Sequence, residues 1–455
     1  MRKVLWAVLC ALLLTGFALT GVAQQSNKQI GINIVLKVPT DPAVLADLGR
    51  FGKVRDVVPE IQAVTLQAPV RLLAAIQALP YVAAANPDAE RTGAPVDTVT
   101  ATNFAGGIST WNLDAINVTD PDSTSVRTVT YDGSGVYVAV LDTGLLDSWR
   151  QYFPQERVSV DYARCFGGGG GNIGFVSSQP NKWEHDQDSH GTHVTSTILG
   201  YSMRGTHING VAPMASVIPV KVLNQNGHGW SSVIARGIMY VAGLKAGPLA
   251  GVPVVINMSL GGTALDPMEQ AAIDYAIGKG VIIVASAGNR GAAGMSYPGA
   301  YAPVISVAAS GWIGEWMSNT WWYAGNVPDP TNPADYYIAD FSSRALAGQD
   351  LDVAAPGSWI VGPYQENSGQ TSYFFLGGTS MASPHVAGIV ALMAQKNPAL
   401  SAAQAETILE STAIPLSAGC RTVYDSSGAS SSVCWGADAT GAGLVTADAA
   451  LAATP

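Results

Sequence analysis

The sequence predicts an α/β protein: a doubly wound, mostly parallel sheet with helices on both faces, preceded by a small α+β unit. Three observations carry this. From about residue 135 onward, near-continuous β-branched runs alternate with helical segments, the pattern of strands covered on both faces. Residues 28–91 instead fit strand, helix, strand, helix, strand into one short stretch, the signature of a small α+β sandwich. Of the 455 residues, 48% are hydrophobic and 12% charged, which excludes a disordered chain and leaves ample material for a large core.

Taken in order, the first residues read as an export signal. Arg2 and Lys3 precede an apolar run from Val4 to Leu14, and Gly21-Val22-Ala23 offers a small-residue cleavage site, so residues 1–23 are assigned to a signal peptide. The expected location is therefore outside the cytoplasm, extracellular or periplasmic. Residues 24–91 form the small unit. Ile30 to Val38 is a strand, and Asp41-Pro42 opens a helix through Leu48, with proline in the first turn where its missing N–H costs nothing. Val54 to Leu66 is extended, Val70 to Leu79 helical and Tyr81-Val82-Ala83 extended. Residues 92–110, rich in Thr, Ala, Gly and Val, carry few structure signals and read as a linker or cleavable junction.

Residues 111–455 make up the main domain. Its expected strands are Val136–Leu141, Ser216–Leu223, Val252–Met258, Val281–Ala287 and Val304–Ala308. Helices are expected at His190–Leu199, Ser231–Ala246, Met268–Gly278, Ser380–Lys396 and Ala402–Ser411. Such a sheet holds its site at the carboxyl ends of its strands. Two stretches look inserted: Cys165–Lys182, with five consecutive glycines, and Gly311–Tyr337, with Trp312, Trp316, Trp321, Trp322, Tyr323, Tyr336 and Tyr337. The second reads as a surface loop packing its aromatics on the body, or as a wall for extended substrates.

The net charge of −10 argues against nucleic acid as a partner. Beyond the signal, no apolar run reaches the ~20 residues of a membrane crossing. Signal removal leaves three cysteines. Cys420 and Cys434 flank a polar Ser/Gly-rich segment and suit a local disulfide, which leaves Cys165 as a buried thiol or as a partner in another pairing.

Reactive groups concentrate where elements begin or end. Asp142 is the first polar residue after Val138-Ala139-Val140-Leu141, His190 opens a helix in Ser189-His190-Gly191-Thr192-His193, and Ser380 opens another in Gly378-Thr379-Ser380-Met381. Together they can form a relay: Ser380 attacks a carbonyl, His190 takes its proton, and Asp142 holds the imidazole tautomer and stabilises its charged form. Asn289, in Ser286-Ala287-Gly288-Asn289, can donate to the tetrahedral oxyanion beside the Ser380 amide. Glu184, His185, Asp186, Asp188, His190 and His193 also cluster in sequence, but the two histidines lack the spacing and glutamate of a His-Glu-x-x-His zinc site.

These segments resemble the subtilisin-like serine proteases, or subtilases. The order Asp, His, Ser is that family's, and Asp142-Thr143-Gly144, His190-Gly191-Thr192-His193 and Gly378-Thr379-Ser380-Met381-Ala382-Ser383-Pro384-His385 match its three signatures. The resemblance implies a subtilisin-like fold and a secreted serine endopeptidase acting through an acyl-enzyme. It makes residues 24–91 an inhibitory propeptide, acting as an intramolecular partner until maturation within 92–110. Ser259, Leu260 and Gly261 become the edge that pairs with the substrate backbone; Arg290 falls at the rim of the specificity pocket and Ser296 near its floor. Protein and peptide substrates are the expected partners of a monomer free of the membrane once the signal is gone.

No cofactor is required for this chemistry. Many family members hold calcium in a loop after the catalytic histidine, but Leu199–Asn209 offers few oxygen ligands and an arginine here, so no metal ligands are assigned and a structural calcium elsewhere is left open. A Gly-x-Ser-x-Gly elbow and the order Ser, Asp, His, which α/β-hydrolases require, are both absent. The alternative is a catalytically idle binding or adhesion protein on the same fold, against which stand the four filled catalytic positions.

Overall fold

A computed structural model of the chain describes residues 27–102, 111–120, 123–167, 176–317, 327, 330–367 and 369–455. The signal at 1–23, most of the glycine run, Trp321, Trp322, Tyr323 and part of the 92–110 junction lie outside the described residues.

The N-terminal unit comprises β1 (Gln29–Leu36), α1 (Pro42–Leu48), β2 (Lys53–Val58), β3 (Ala63–Pro69), α2 (Leu73–Gln77) and β4 (Val82–Pro87). Its antiparallel sheet runs β2-β3-β1-β4. Asp41 caps α1 by accepting from the amides of Ala43 and Val44 at 2.9 Å, a side chain satisfying donors that the first turn leaves free. The stretch expected as one extended run, Val54–Leu66, is broken by a 3-10 turn at Pro59–Ile61, with Gln62 at φ 53. Proline at the start of that turn ends β2 and lets the chain fold back as β3. Ile32, Ile34, Leu48, Leu66 and Ile76 form the unit's own buried core.

The junction at 92–110, where the sequence carries few structure signals, begins in strands. β5 (Glu90–Thr92) and β6 (Asp97–Ala101) are strands whose partners lie far along the chain. The alternation of Asp97-Thr98-Val99-Thr100-Ala101 is present locally, but short Thr/Val-rich pieces signal a strand only once an edge is available to pair with.

The main domain continues with β7 (Tyr137–Asp142), β8 (Arg164–Cys165), α3 (His190–Leu199), β9 (Ser216–Lys221), β10 (His228–Trp230), α4 (Ser231–Ala246), β11 (Val254–Met258), α5 (Pro267–Gly278), β12 (Val281–Ser286) and β13 (Ile305–Trp312). It closes with β14 (Tyr336–Ile338), β15 (Val353–Pro356), β16 (Ile360–Pro363), β17 (Tyr373–Gly377), α6 (Thr379–Lys396), α7 (Ala402–Thr412), β18 (Gly419–Tyr424) and β19 (Ser430–Trp435). The large sheet runs β8-β9-β7-β11-β12-β13-β14, with β15 also on β13, and only β14 is antiparallel. Alternate residues of β7 serve opposite faces. Val138 and Val140 pack in the core shared with α3 and α6, and Ala139 and Leu141 in the core shared with α4 and α5. Chain order departs in both directions from β7, so the crevice at its carboxyl end is the topological switch point.

The aromatic insert is partly a continuation of the sheet. Trp312 ends β13, and Tyr336 and Tyr337 return as β14 paired antiparallel to it, all three buried. Cys420 and Cys434 pair across the β18–β19 hairpin and form a disulfide, while Cys165 is a buried free thiol at the end of β8. Among the described residues, no helix is long and apolar enough to cross a membrane.

Candidate active site

Asp142 ends β7, fully buried, opposite Lys221 of β9. His190 is the first residue of α3, held there by Ser189 in the left-handed region at φ 70. Gly191 is required beside it, since a Cβ would lie 2.4 Å from the carbonyl of Gly144. The close approach brings His190 Nδ1 to 2.8 and 3.0 Å from the two carboxylate oxygens of Asp142. A carboxylate only accepts, so Nδ1 carries the proton and Nε2 presents its lone pair. That Nε2 is buried and has no hydrogen-bond partner among the described residues.

Ser380 is the second residue of α6, at the carboxyl end of β17. Its Oγ donates to the carbonyl of Ser259 at 3.2 Å, while Ser259 Oγ donates to the Ser380 carbonyl at 2.7 Å. Asn257 Nδ2 in turn holds Ser259 Oγ at 3.0 Å, and Ser383 Oγ holds Asn257 Oδ1 at 2.7 Å. His385, deeper in α6, donates from Nδ1 to Met381 O and accepts at Nε2 from Asn112, both at 2.8 Å. Burial pushes its pKa down to about 4, so it is a neutral brace for the helix start.

Asn289 follows β12. Its Oδ1 accepts from the amide and the hydroxyl of Thr379 at 2.9 and 2.8 Å, which turns Nδ2 toward the crevice. There Asn289, Ser380, Ser296 and Arg290 border one cavity of about 280 Å³. The Ser380 amide belongs to the first turn of α6, where no intrahelical carbonyl is available. An anion between that amide and Asn289 Nδ2 would thus meet two preorganised donors.

Burial works against the charged form of His190, but the Asp142 carboxylate, followed by those of Asp188 and Asp186, outweighs it and raises the imidazole above its ordinary range. Of the rest of the sequence cluster, Asp188 accepts from the His190 amide at 3.3 Å, and the others are held by different partners. Glu184 accepts from Trp149 and Arg150, His185 meets Asp147, and Asp186 accepts from Thr143. His193 hydrogen-bonds the Ile360 carbonyl, its pKa pushed by burial to about 3. The Leu199–Asn209 region forms a tight hairpin, Tyr201–Met203 with Thr206–Ile208, turning at Arg204 and Gly205 with φ 49 and 89. Elsewhere, oxygens of Asp350, Asp352 and Glu406 lie within 4.8 Å of one another, three ligands against the six to eight that calcium takes.

The edge segment Ser259-Leu260-Gly261 is occupied by the chain itself. Gly261 and Thr92 exchange both backbone hydrogen bonds at 2.9 Å, and Gly93 N donates to Gly227 O at 2.9 Å. On the opposite side β5 pairs antiparallel with β10. Gly93 lies so close to the site that a Cβ would be 2.9 Å from Ser259 O and 3.3 Å from His190 Cε1. Beyond it, Val96 N donates to Gly377 O at 2.7 Å, and β6 continues along β17. The second edge at Gly227–Trp230 escaped sequence reasoning, whereas the segment 90–97 joins the expected inhibitory unit to its expected junction. Glycines at 93, 227 and 229 were the available signal, since a backbone that another strand approaches closely tolerates little else.

A parallel sheet that delivers an aspartate–histidine pair, a serine at a helix start and an amide beside it to one cleft edge defines a subtilisin-like serine endopeptidase. The Subtilase family matches residues 133–436, and the chain belongs to that family. It is 36% identical over 292 residues to subtilisin DY of Bacillus licheniformis, spanning 63% of this chain and 86% of that protein. To thermitase of Thermoactinomyces vulgaris it is 33% identical over 286 residues, 63% and 84% of the two chains. Among solved structures it is similar to fervidolysin of Fervidobacterium pennivorans, a keratinolytic enzyme related to subtilisin, with TM-score 0.65 and 25% identity; the match covers 94% of this chain and 62% of that one. The S41 psychrophilic protease aligns with TM-score 0.55 and 29% identity over 75% of this chain and 99% of its own.

Proposed function

We propose that this endopeptidase is made as an exported precursor and held inactive by its own residues 24–91 until a cut in the following segment. The observation that carries this is the course of residues 90–97 through the cleft. They pair with both edges as an extended substrate would, a mode in which main-chain hydrogen bonds supply affinity whatever the side chains. Gly93 against His190 on one side, and Val96 on Gly377 on the other, bracket the Ala94–Pro95 bond at Ser380.

In the reaction, Ser380 Oγ leaves the Ser259 carbonyl and attacks the substrate carbonyl carbon as His190 Nε2 takes its proton. Asp142 keeps Nδ1 protonated and stabilises the imidazolium. Asn289 Nδ2 and the Ser380 amide receive the oxyanion, which exists only after attack and so is bound more strongly than the ground state. Collapse passes the proton from His190 to the leaving amine. Water, deprotonated by the same imidazole, then releases the acyl group from Ser380. Proline on the leaving side brings a ring into the space where His190 must protonate the nitrogen, and this explains how an occupied cleft can persist uncut.

The experiment is the fate of the precursor. Wild type should be cut between Glu90 and Phe104, while Ser380→Ala should fold and stay joined; Pro95→Ser should speed the cut. Intact mass and N-terminal sequencing of secreted material read all three, and also locate the signal cleavage. Trimming of the alanine form as efficiently as wild type would mean that another protease matures the chain.

A further inference from the structure

The segment in the cleft also carries a side chain that the cleft holds. Strand periodicity turns Arg91 and Gly93 inward, and Thr92 and Ala94 are exposed. Arg91 is 0% exposed, and an arginine is almost never fully buried unless paired. Its Nε donates to Glu269 Oε1 at 3.2 Å and its Nη2 to Glu269 Oε2. Nη2 also donates to the Ala264 carbonyl at 3.0 Å, and Nη1 to Glu90 O at 3.0 Å. This is the two-pronged pairing that a planar guanidinium makes and an ammonium does not.

The receiving pocket belongs to the catalytic domain. Glu269 lies in the first turn of α5 and is 2% exposed; burial pushes its carboxyl above the ordinary range, and the Arg91 guanidinium is the chief counterweight. Asp266, the N-cap of the same helix, adds a second carboxylate to the field at Arg91. Gly262 forms the wall, since a Cβ there would sit 2.1 Å from Glu90 O and 2.8 Å from Arg91 Nη1. When residues 24–91 depart, Arg91 leaves and the Glu269 carboxylate is left without its cation. An apolar or acidic side chain entering there would shut Glu269 away unpaired, so the pocket rejects as well as attracts.

We propose that Glu269 makes this protease selective for arginine at the fourth position before the cut bond, counting back from Ala94 through Gly93 and Thr92 to Arg91. The proposal rests on the reading that residues 90–97 occupy the cleft as a substrate does. It names the substrate class as extended peptides with arginine at that position and small residues next to the bond.

The test uses the matured enzyme and peptides of the form Xaa-Thr-Gly-Ala joined to a fluorogenic leaving group. Xaa is arginine, its neutral isostere citrulline, lysine or leucine. kcat/KM should favour arginine over citrulline and leucine by about 10²-fold, with lysine between. Glu269→Gln should bring the arginine-to-citrulline ratio near one, and Glu269→Leu should favour leucine. Ratios within one preparation are independent of how much of a variant folds, and the wild-type profile decides the preference even where a variant does not accumulate. A flat wild-type profile with casein still hydrolysed overturns the arginine pocket and leaves the peptidase reading standing. A preference that survives in Glu269→Gln overturns the assignment to Glu269. Loss of turnover on both casein and peptides overturns the functional reading and the pocket with it.

Discussion

Replacing Gly93 by alanine adds one methyl group at the tightest point of the cleft. That Cβ would lie 2.8 Å from Leu223 Cδ1, 2.9 Å from the carbonyl oxygen of Ser259 and 3.3 Å from His190 Cε1. The end of Leu223 can rotate away. The Ser259 carbonyl cannot, since Ser259 also anchors the Ser380 carbonyl through its hydroxyl. The bond from Gly93 N to Gly227 O survives the change, so the cost is overpacking alone, about 1–3 kcal/mol. At 1.4 kcal/mol per tenfold, inhibition should weaken by roughly 5- to 150-fold. The assay is the Ki of a fragment spanning residues 27–94 against matured enzyme. That unit has its own buried core of Ile32, Ile34, Leu48, Leu66 and Ile76, and circular dichroism is the check that both forms fold. Thr92→Ala, at an exposed side chain, serves as control and should change little. An alanine form that inhibits within twofold of wild type would mean that Gly93 does not occupy the cleft in solution.

Three further expectations follow from the same geometry. Asn289→Ala should lower kcat roughly 10²–10³-fold with little change in KM, a magnitude carried over from subtilisin itself; an unchanged kcat removes Asn289 from the oxyanion site. Activity should fall on the acidic side as His190 gains a proton, because an imidazolium cannot accept from Ser380. With Asp142, Asp188 and Asp186 outweighing burial, that limb should lie above the ordinary histidine value of about 6.5. Asp188→Asn should then move it to lower pH, and a rate flat from pH 5 to 9 contradicts the assigned base. Loss of the Cys420–Cys434 disulfide in a double serine variant should destabilise the domain by at most ~3 kcal/mol, the closure entropy of a loop of that length. An unaltered melting temperature would show that the β18–β19 hairpin opens separately from the rest.

Much of the scaffold was legible in order along the chain. The bounds of α3 and α4 read directly from residue pattern, because a helix end is a local object and each of these stops at a glycine, Gly200 and Gly247. So was each reactive residue's place: Asp142 after a buried strand, and His190 and Ser380 at helix starts. Those positions depend on where elements end, which glycine, serine and threonine mark in the sequence. The disulfide was legible too, since its cysteines bracket a single hairpin.

Partnership was a different matter. β6 looked like linker because its mate is β17, far along the chain, and a strand's own residues do not say which edge receives it. The buried pair Arg91–Glu269 spans 178 positions, and nothing near either residue announces the other. His190 and Asp142 were expected to meet, but only the packing of α3 on β7, with Gly191 against Gly144, brings them to 2.8 Å. Local sequence sets backbone preference and the sidedness of each element. Which strand fills the cleft, and which charge waits at its end, depends on contacts between distant segments, and only the folded chain contains these.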